Sequence, residues 1–262
     1  MGPVAIVGLI LSISAPAPVA GGEPVRIMVM GDSISRGWPS FDMGGYRNLL
    51  RNRLVTAGWE LDMVGSQTSG FFPDNQHEAF DGIRIRTLME NRAHAQQLYD
   101  PDITLLMIGT NDIWTGTGLD GPDHVETNLN NLIARIYDYN KDAKLYVASI
   151  PRMWFGYEPL AVTRYNSAIP GIVASWQQEG KFVRFVDIYD AVGWNLFDGV
   201  HPSQTGYNRM ADAWYEALMG LPHDQLAPHR RSWHTPLVPE PGLATGALLA
   251  LAISRLRRAA RR

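Results

Sequence analysis

A serine, an asparagine and an Asp-x-x-His motif each follow a short apolar segment of the chain. Ser33 lies in Gly-Asp-Ser after VRIMVM, and Asn111 lies in Gly-Thr-Asn-Asp after ITLLMIG. Asp198 and His201 belong to Asp-Gly-Val-His-Pro, late in the sequence. A serine hydroxyl is a poor nucleophile until a base takes its proton, and an imidazole with a pKa near ~6.5 can be that base. The pattern therefore predicts acyl transfer, with Ser33 as nucleophile, His201 as general base and Asp198 holding the histidine tautomer.

The same motifs offer hydrogen-bond donors for the oxyanion that forms during acyl transfer. We expect the oxyanion hole to consist of the backbone N–H of Ser33, the backbone N–H of Gly65 and the side-chain amide of Asn111. Gly65 is included because it ends the segment LDMVG, another predicted strand. One such donor contributes ~2.7–4 kcal/mol in the transition state.

Apolar runs that alternate with helix-like segments would bring these side chains to one edge of a sheet. The five predicted strands are residues 25–30, 61–65, 103–109, 144–150 and 182–188. Continuous apolar strands between helices are typical of a parallel sheet covered on both faces. In such sheets ligands bind beyond the carboxyl ends of the strands. The sequence therefore predicts an α/β fold, a three-layer α/β/α sandwich around a five-stranded parallel sheet.

The composition excludes several other classes of function. The 262 residues include no cysteine, which excludes a disulfide scaffold, thiolate zinc sites and cysteine nucleophiles. The formal net charge of -3 gives no basic footprint for nucleic acid. His77 and Glu78 do not continue into His-Glu-x-x-His, so a zinc protease is excluded. The three histidines His77, His94 and His124 are predicted to be surface or loop residues, and neither a cofactor nor a metal site is evident.

The order of the motifs resembles the SGNH/GDSL hydrolase family over residues 25–220. The resemblance is carried by Ser33, Gly65, Asn111 and His201, with GDS around the first and DGVHP around the last. In that family serine is the nucleophile, glycine and asparagine complete the oxyanion hole, and Asp-x-x-His completes the triad. The resemblance implies a flavodoxin-like fold. Ser35 stands where the G-x-S-x-G elbow of the α/β-hydrolases requires glycine, which argues against that other superfamily.

A finer resemblance is to carbohydrate esterase family 3, which contains acetylxylan esterases. It rests on the segments GDSISRG, GGYRNLL, MVGSQ, HEAFDGIRI and PDITLLMIGTND. The fourth segment departs from the pattern, because that group more often has His-Glu-Gly-His followed by Gly-Trp. The departure bears on specificity for acetylxylan and not on ester chemistry.

Both ends of the chain have the composition of sorting signals. Residues 1–20 hold the apolar run VAIVGLILSI and an Ala/Pro-rich segment, which predicts a secretory signal peptide; an apolar strand or helix is the alternative. Residues 22–222 form the predicted hydrolase domain, and 223–238 a proline-rich linker. Residues 239–262 resemble a PEP-CTERM sorting signal, with Pro-Glu-Pro, an apolar stretch and five arginines. That resemblance implies an exosortase as partner, transient membrane contact, and release or anchoring at the surface or periplasm of a Gram-negative bacterium.

These observations predict a secreted serine esterase that hydrolyses carboxylic esters, above all O-acetyl groups on a polysaccharide. A lipid esterase or lysophospholipase is the alternative within the enzymes, and a catalytically silent polysaccharide-binding module is the alternative outside them. Four tryptophans in or near the predicted edge loops could stack on sugar rings or pack in the core; they are Trp38, Trp114, Trp154 and Trp194.

Overall fold

The strands and helices alternate along the chain and form one mostly parallel sheet flanked by helices. The computed structural model describes residues 23–115, 124–154 and 158–220. The strands are β1 (Val25–Gly31), β2 (Leu61–Val64), β3 (Gln67–Thr68), β4 (Gln76–Ala79), β5 (Ile103–Met107), β6 (Lys144–Ala148) and β7 (Val183–Val186). The helices are α1 (Ser33–Arg36), α2 (Arg47–Thr56), α3 (Ile85–Arg92), α4 (Ala95–Tyr99), α5 (Thr110–Thr115), α6 (Val125–Tyr139), α7 (Glu158–Gln178), α8 (Ile188–Val192) and α9 (Gln204–Met219).

The predicted α/β sandwich is confirmed, and its five predicted strands are all present. Four of them run in the order β1, β5, β6, β7, and β2 pairs with the other side of β1; all these pairings are parallel. Helices α2, α8 and α9 pack together, while α3, α4, α6 and α7 form a second group. Every residue of β5 and β6 is buried, as expected for strands in the middle of a sheet that is covered by helices.

The prediction of a five-stranded sheet was incomplete, because a short hairpin adds two strands. β3 pairs antiparallel with β4, and β4 in turn pairs parallel with the last two residues of β1, Met30 and Gly31. β2 pairs only with Val25–Met28, so β4 replaces β2 beside the carboxyl end of β1. The sequence of β4, Gln-His-Glu-Ala, has no apolar run, and this is why its strand was missed.

The helices pack through the apolar faces that their sequence spacing predicts. In α6 the buried positions include Val125, Leu129, Leu132, Ile133 and Ile136. In α9 they include Met210, Trp214 and Leu218. None of the helices in the described segments is long and apolar enough to cross a membrane. The predicted signal peptide, linker and sorting tail lie outside the described residues.

Candidate active site

Ser33 is placed at the carboxyl edge of the sheet by the turn that joins β1 to α1. Asp32 caps the helix, since its Oδ1 atom accepts a hydrogen bond from the Ile34 N–H at 3.0 Å. Gly31 ends β1, and a Cβ atom there would lie 2.2 Å from the Met107 carbonyl oxygen of β5. The missing side chain lets β1 and β5 pair up to the residue before the cap, and this pairing positions Ser33 over the end of the sheet.

The structure brings Ser33, His201 and Asp198 into one hydrogen-bonded array. The Ser33 Oγ atom lies 2.9 Å from His201 Nε2, and His201 Nδ1 lies 2.8 Å from Asp198 Oδ2. An ionised carboxylate only accepts hydrogen bonds, so the proton of the neutral imidazole is on Nδ1. His201 Nε2 then has a free lone pair, which can accept the proton of the Ser33 hydroxyl. The array therefore has the geometry of a nucleophile, a base and the group that orients the base.

Backbone hydrogen bonds hold Asp198 in its ionised form. Its Oδ1 atom accepts from the N–H groups of His201 at 2.8 Å and Val200 at 3.0 Å. Burial alone would raise the pKa of Asp198, but hydrogen bonds from the His201 and Val200 backbone and from the His201 ring outweigh it. The pKa of Asp198 is consequently lower than its ordinary value. As long as the Asp198 carboxylate is charged, it keeps the proton of the neutral His201 ring on Nδ1.

Asn111 reaches the same edge of the sheet from the start of α5. Its side-chain amide donates a hydrogen bond from Nδ2 to the Ile83 carbonyl oxygen at 3.0 Å. The neighbouring Asp112 accepts from the Ile85 N–H at 3.2 Å through both carboxylate oxygens. These contacts attach the first turn of α5 to the segment that leads into α3. They fix the orientation of the Asn111 amide relative to Ser33.

Asp32 is fully buried beside the site, where its carboxylate accepts a hydrogen bond from the local backbone. Burial raises the pKa of Asp32 from 3.8 to about 6, although the hydrogen bond from the Ile34 N–H acts in the opposite direction. The folded protein therefore holds this proton to a higher pH than the unfolded chain does. The associated stability is present below about pH 4 and is lost as the pH rises through about 6.

Ser33, Asn111, Asp198 and His201 all face one open cleft of about 600 Å³. The described residues that line it are Ser33, Arg36, Trp38, Asp81, Gly82, Asn111, Trp114, Asp198, Val200 and His201. Four of the five predicted site residues are therefore brought together. The sequence reasoning missed the pair formed by Arg36 and Asp81, whose Nη1 and Oδ2 atoms are 2.7 Å apart.

Gly65, the fifth predicted site residue, has no place in the described lining of the cleft. It lies where the chain leaves β2 and passes β4, and a Cβ atom there would be 2.2 Å from the His77 carbonyl carbon. This close approach accounts for glycine at position 65, where φ is +151°. Since β4 replaces β2 beside the end of β1, the glycine that reaches the cleft is Gly82, in the loop after β4.

A second serine–histidine pair lies within the same molecule, and its surroundings differ. Ser69 Oγ is 2.8 Å from His77 Nε2, while His77 Nδ1 accepts a hydrogen bond from the Ala79 N–H at 3.1 Å. A backbone N–H can only donate, so the proton of this imidazole is on Nε2 and points at Ser69. Arg47 Nη2 also donates to Ser69 Oγ at 2.8 Å, and Ser69 Oγ contacts the Arg36 carbonyl oxygen at 3.3 Å.

His77 was predicted to be a surface or loop residue, and this prediction was wrong. It lies in β4 with only 1% of its surface exposed. Burial, followed by repulsion from the Arg47 and Arg36 guanidinium groups, lowers the pKa of His77 from 6.5 to about 3. The His77 side chain is therefore neutral near pH 7.

The fold and the Ser33–His201–Asp198 array together match the arrangement of a serine hydrolase built on an α/β sandwich. The family model described as GDSL-like Lipase/Acylhydrolase family matches residues 29–209, and the chain belongs to this family. The activity that this family's description names is the hydrolysis of acyl esters.

Similar proteins and solved structures also include esterases. The chain is 30% identical over 239 residues to a multidomain esterase of Ruminococcus flavefaciens, covering 79% of this chain and 30% of that protein. It spans 52% of the length of a second curated relative, from Acetivibrio thermocellus. Among solved structures, it is similar to a family 3 carbohydrate esterase of Clostridium thermocellum, with 33% identity and a TM-score of 0.68 over 79% of this chain and 100% of that chain. It is also similar to a family 3 carbohydrate esterase of Talaromyces cellulolyticus, with 26% identity and a TM-score of 0.66. That match covers 76% of this chain and 99% of the other.

Proposed function

We propose that this ester hydrolase removes O-acetyl groups from a polysaccharide, using Ser33, His201 and Asp198 as its catalytic triad. The observation that carries the proposal is the Ser33–His201–Asp198 array, which opens onto a wide cleft with aromatic and charged walls. The family 3 carbohydrate esterases to which the chain is similar support a carbohydrate substrate.

In the proposed reaction the Ser33 oxygen attacks the ester carbonyl carbon while its proton passes to His201 Nε2. The tetrahedral intermediate then collapses, and the sugar hydroxyl leaves with that proton, so that acetyl remains on Ser33. A water molecule attacks the acetyl group in the same way, with His201 again taking the proton. Release of acetate returns the proton to Ser33, so the enzyme is unchanged after one turnover.

The oxyanion would be held by the Ser33 N–H, the Asn111 amide and the Gly82 N–H. Glycine has no side chain, so Gly82 can line the cleft only with its backbone. Gly82 also precedes Ile83, whose carbonyl oxygen accepts from Asn111, and this contact keeps the two proposed donors close together. The assignment replaces Gly65 with Gly82 and keeps the other two donors that the sequence suggests.

The lining of the cleft favours a short acyl group over a long one. Val200 is the one aliphatic side chain among the described lining residues, so these residues form no aliphatic channel that would enclose a fatty acyl chain. The walls instead carry Trp38 and Trp114, together with the charged pair Arg36–Asp81. An indole face suits the C–H face of a sugar ring, and a charged pair suits its hydroxyl groups.

Substrate profiling tests the proposal. We expect p-nitrophenyl acetate to give the highest kcat/KM in a series from acetate to octanoate, and acetate to be released from acetylated xylan. A preference for octanoate would support the lipid esterase instead. An absence of turnover on every ester would support a silent binding module.

We further propose that the enzyme acts outside the cytoplasm, at the surface or in the periplasm of a Gram-negative bacterium, after processing by an exosortase. Support comes from the sequence, namely the apolar run within residues 1–20 and the Pro-Glu-Pro, apolar and arginine-rich parts of 239–262. Replacing Pro239, Glu240 and Pro241 by alanine should mislocalise the protein in its host without changing kcat/KM on a soluble ester. Unchanged localisation would contradict a sorting role for residues 239–262.

A further inference from the structure

Two exposed tryptophans lie beside the loop that carries Asp198 and His201. Trp154 and Trp194 expose 69% and 61% of their surface, and their ring centroids are 6.3 Å apart. The backbone N–H of Trp154 donates to the Gly199 carbonyl oxygen at 2.8 Å, so Trp154 is attached to the loop that carries Asp198 and His201. The two rings form one contiguous exposed apolar surface, and large surfaces of this kind are typical of interaction sites. We refer to these residues as the Trp154–Trp194 pair.

Arg152 packs against the Trp194 ring and is itself held by its neighbours. Its guanidinium carbon lies 5.0 Å from the centre of the Trp194 ring and 3.9 Å from that of Tyr189. Arg152 also donates to the Tyr189 hydroxyl at 2.7 Å and forms an ion pair with Asp190 at 3.5 Å. Side chains that are ordered before binding lose little conformational entropy when a ligand arrives.

The strand order places the pair in line with the cleft. Ser33 follows β1, Asn111 follows β5, and Trp154 follows β6, so these residues occupy successive positions along the carboxyl edge. Trp194, in the segment after α8, lies beside Trp154. Neighbouring strands lie about 4.8 Å apart, so the edge extends well beyond one sugar residue. A linear polymer with its ester at Ser33 would pass over the pair.

We propose that the Trp154–Trp194 pair binds the main-chain sugar rings next to the acetylated residue, which makes the enzyme selective for a polymer. This proposal rests on the proposed polysaccharide esterase function. Indole rings stack on the C–H faces of pyranose rings, while the charged Arg152 and Asp190 beside them offer partners for sugar hydroxyls. Asp190 exposes 74% of its side chain, and such a charge would be costly against a lipid surface.

The first test compares a polymer with a small ester. In the double variant Trp154→Ala/Trp194→Ala we expect KM on acetylated xylan to rise about ten-fold or more, with kcat unchanged, because aromatic anchors dominate binding energies. Hydrolysis of p-nitrophenyl acetate should stay within about two-fold, since the pair lies outside the described cleft lining. Tyr139→Ala is the matched control, because Tyr139 is an exposed aromatic residue at the end of α6, ahead of the amino end of β6. Equal KM values for the double variant and the wild type on the polymer would overturn the proposal.

The second test measures binding without turnover. Ser33→Ala, with and without the two tryptophan substitutions, is titrated by calorimetry with deacetylated xylan and deacetylated glucomannan. Binding that is lost with the pair supports the proposal, and failure of Ser33→Ala to bind either polymer overturns it. Tryptophan-dependent binding to phosphatidylcholine vesicles, or tryptophan-dependent dimerisation, would also overturn it. If the wild type cleaves p-nitrophenyl acetate but no acetylated polymer, the proposed function fails, and this result is distinct from failure of the pair.

Discussion

Ser33 and Ser69 each lie within hydrogen-bond distance of a histidine Nε2 atom, at 2.9 and 2.8 Å. The two pairs differ at the opposite ring nitrogen. His201 Nδ1 faces the Asp198 carboxylate, whereas His77 Nδ1 accepts from a backbone N–H. The first arrangement leaves Nε2 free to take a proton, and the second puts a proton on Nε2.

The comparison teaches that a short serine–histidine distance does not by itself make a nucleophile. His77 cannot deprotonate Ser69, because it is already donating a hydrogen bond to it. The Arg47 guanidinium nearby further opposes any charge on His77. His201 instead faces a carboxylate, as its proposed role of general base requires, and its serine faces an open cleft.

The largest contrast should come from removing each serine hydroxyl. Ser33→Ala should lower kcat on p-nitrophenyl acetate by about 10⁴-fold or more, because the triad acts as a unit. Ser69→Ala should keep kcat/KM within about ten-fold, since a lost hydrogen bond within the fold acts on catalysis only indirectly. Steady-state kinetics of both variants measure the contrast. Substantial turnover by Ser33→Ala would contradict the assignment of the nucleophile.

Asp198→Asn removes the charge that distinguishes the two pairs while keeping the shape of the side chain. We expect kcat to fall by about 10²–10⁴-fold, because His201 loses the partner that sets its tautomer and stabilises its cation. The measurement is kcat on p-nitrophenyl acetate, with the thermal midpoint recorded as a control for folding. A kcat close to that of the wild type would show that the carboxylate is unnecessary.

Asn111→Ala tests whether the Ser33 site also contains an oxyanion donor. The Ser69–His77 pair, which is not proposed to be catalytic, needs no such donor. We expect kcat to fall by about 10²–10³-fold with a small change in KM, because the donor interacts most strongly with the charge of the transition state. A raised KM with unchanged kcat would instead show that Asn111 contacts the substrate equally in the bound state and in the transition state.

His77→Gln should reveal the buried histidine through the pH dependence of stability. The folded pKa of about 3 is below the unfolded value of 6.5, so the unfolded chain takes up a proton first as the pH falls. Between pH 7.5 and pH 4 the wild type should therefore lose about 3 kcal/mol more unfolding free energy than His77→Gln. Asp32 titrates in both proteins and cancels in the difference. Parallel curves in urea unfolding would contradict the low pKa of His77.

Ser69→Ala should have the smallest effect, which is on stability. The Ser69 hydroxyl accepts from His77 Nε2, so its removal leaves the buried His77 N–H without this partner. Arg47 Nη2, which also donates to the hydroxyl, keeps the Arg36 and Ser69 carbonyl oxygens as acceptors. We expect a loss of about 1–3 kcal/mol in the free energy of unfolding. Ser167→Ala is a suitable control, because the Ser167 hydroxyl is exposed and bonds only within α7. Equal stability of the two variants would show that the Ser69 network is dispensable.

The Ser33–His201–Asp198 array could be predicted from the sequence because its signals are local. Asp198 and His201 are three residues apart, and Ser33 directly follows a recognisable strand and its cap. The convergence of Ser33 and Asn111 then follows from the rule that parallel strands end at one edge.

The Ser69–His77 pair and Gly82 could not be predicted, because both depend on the polar β3–β4 hairpin. Arg47 connects that hairpin to α1 by donating to the carbonyl oxygens of Ser35, Asn75, Arg36 and Ser69. Any residue type supplies a carbonyl oxygen, so such a site leaves no signature in the sequence. The hairpin also moves β4 into the place of β2, and this is why Gly82 reaches the cleft and Gly65 does not.

Covalent labelling of the serines tests the central claim most directly. The protein is treated with a fluorophosphonate, digested, and the modified peptide is identified by mass spectrometry. We predict one label, on Ser33, that is lost in His201→Ala and unaffected in His77→Gln. A label on Ser69, or equal labelling of Ser33 in the presence and absence of His201, would contradict the account.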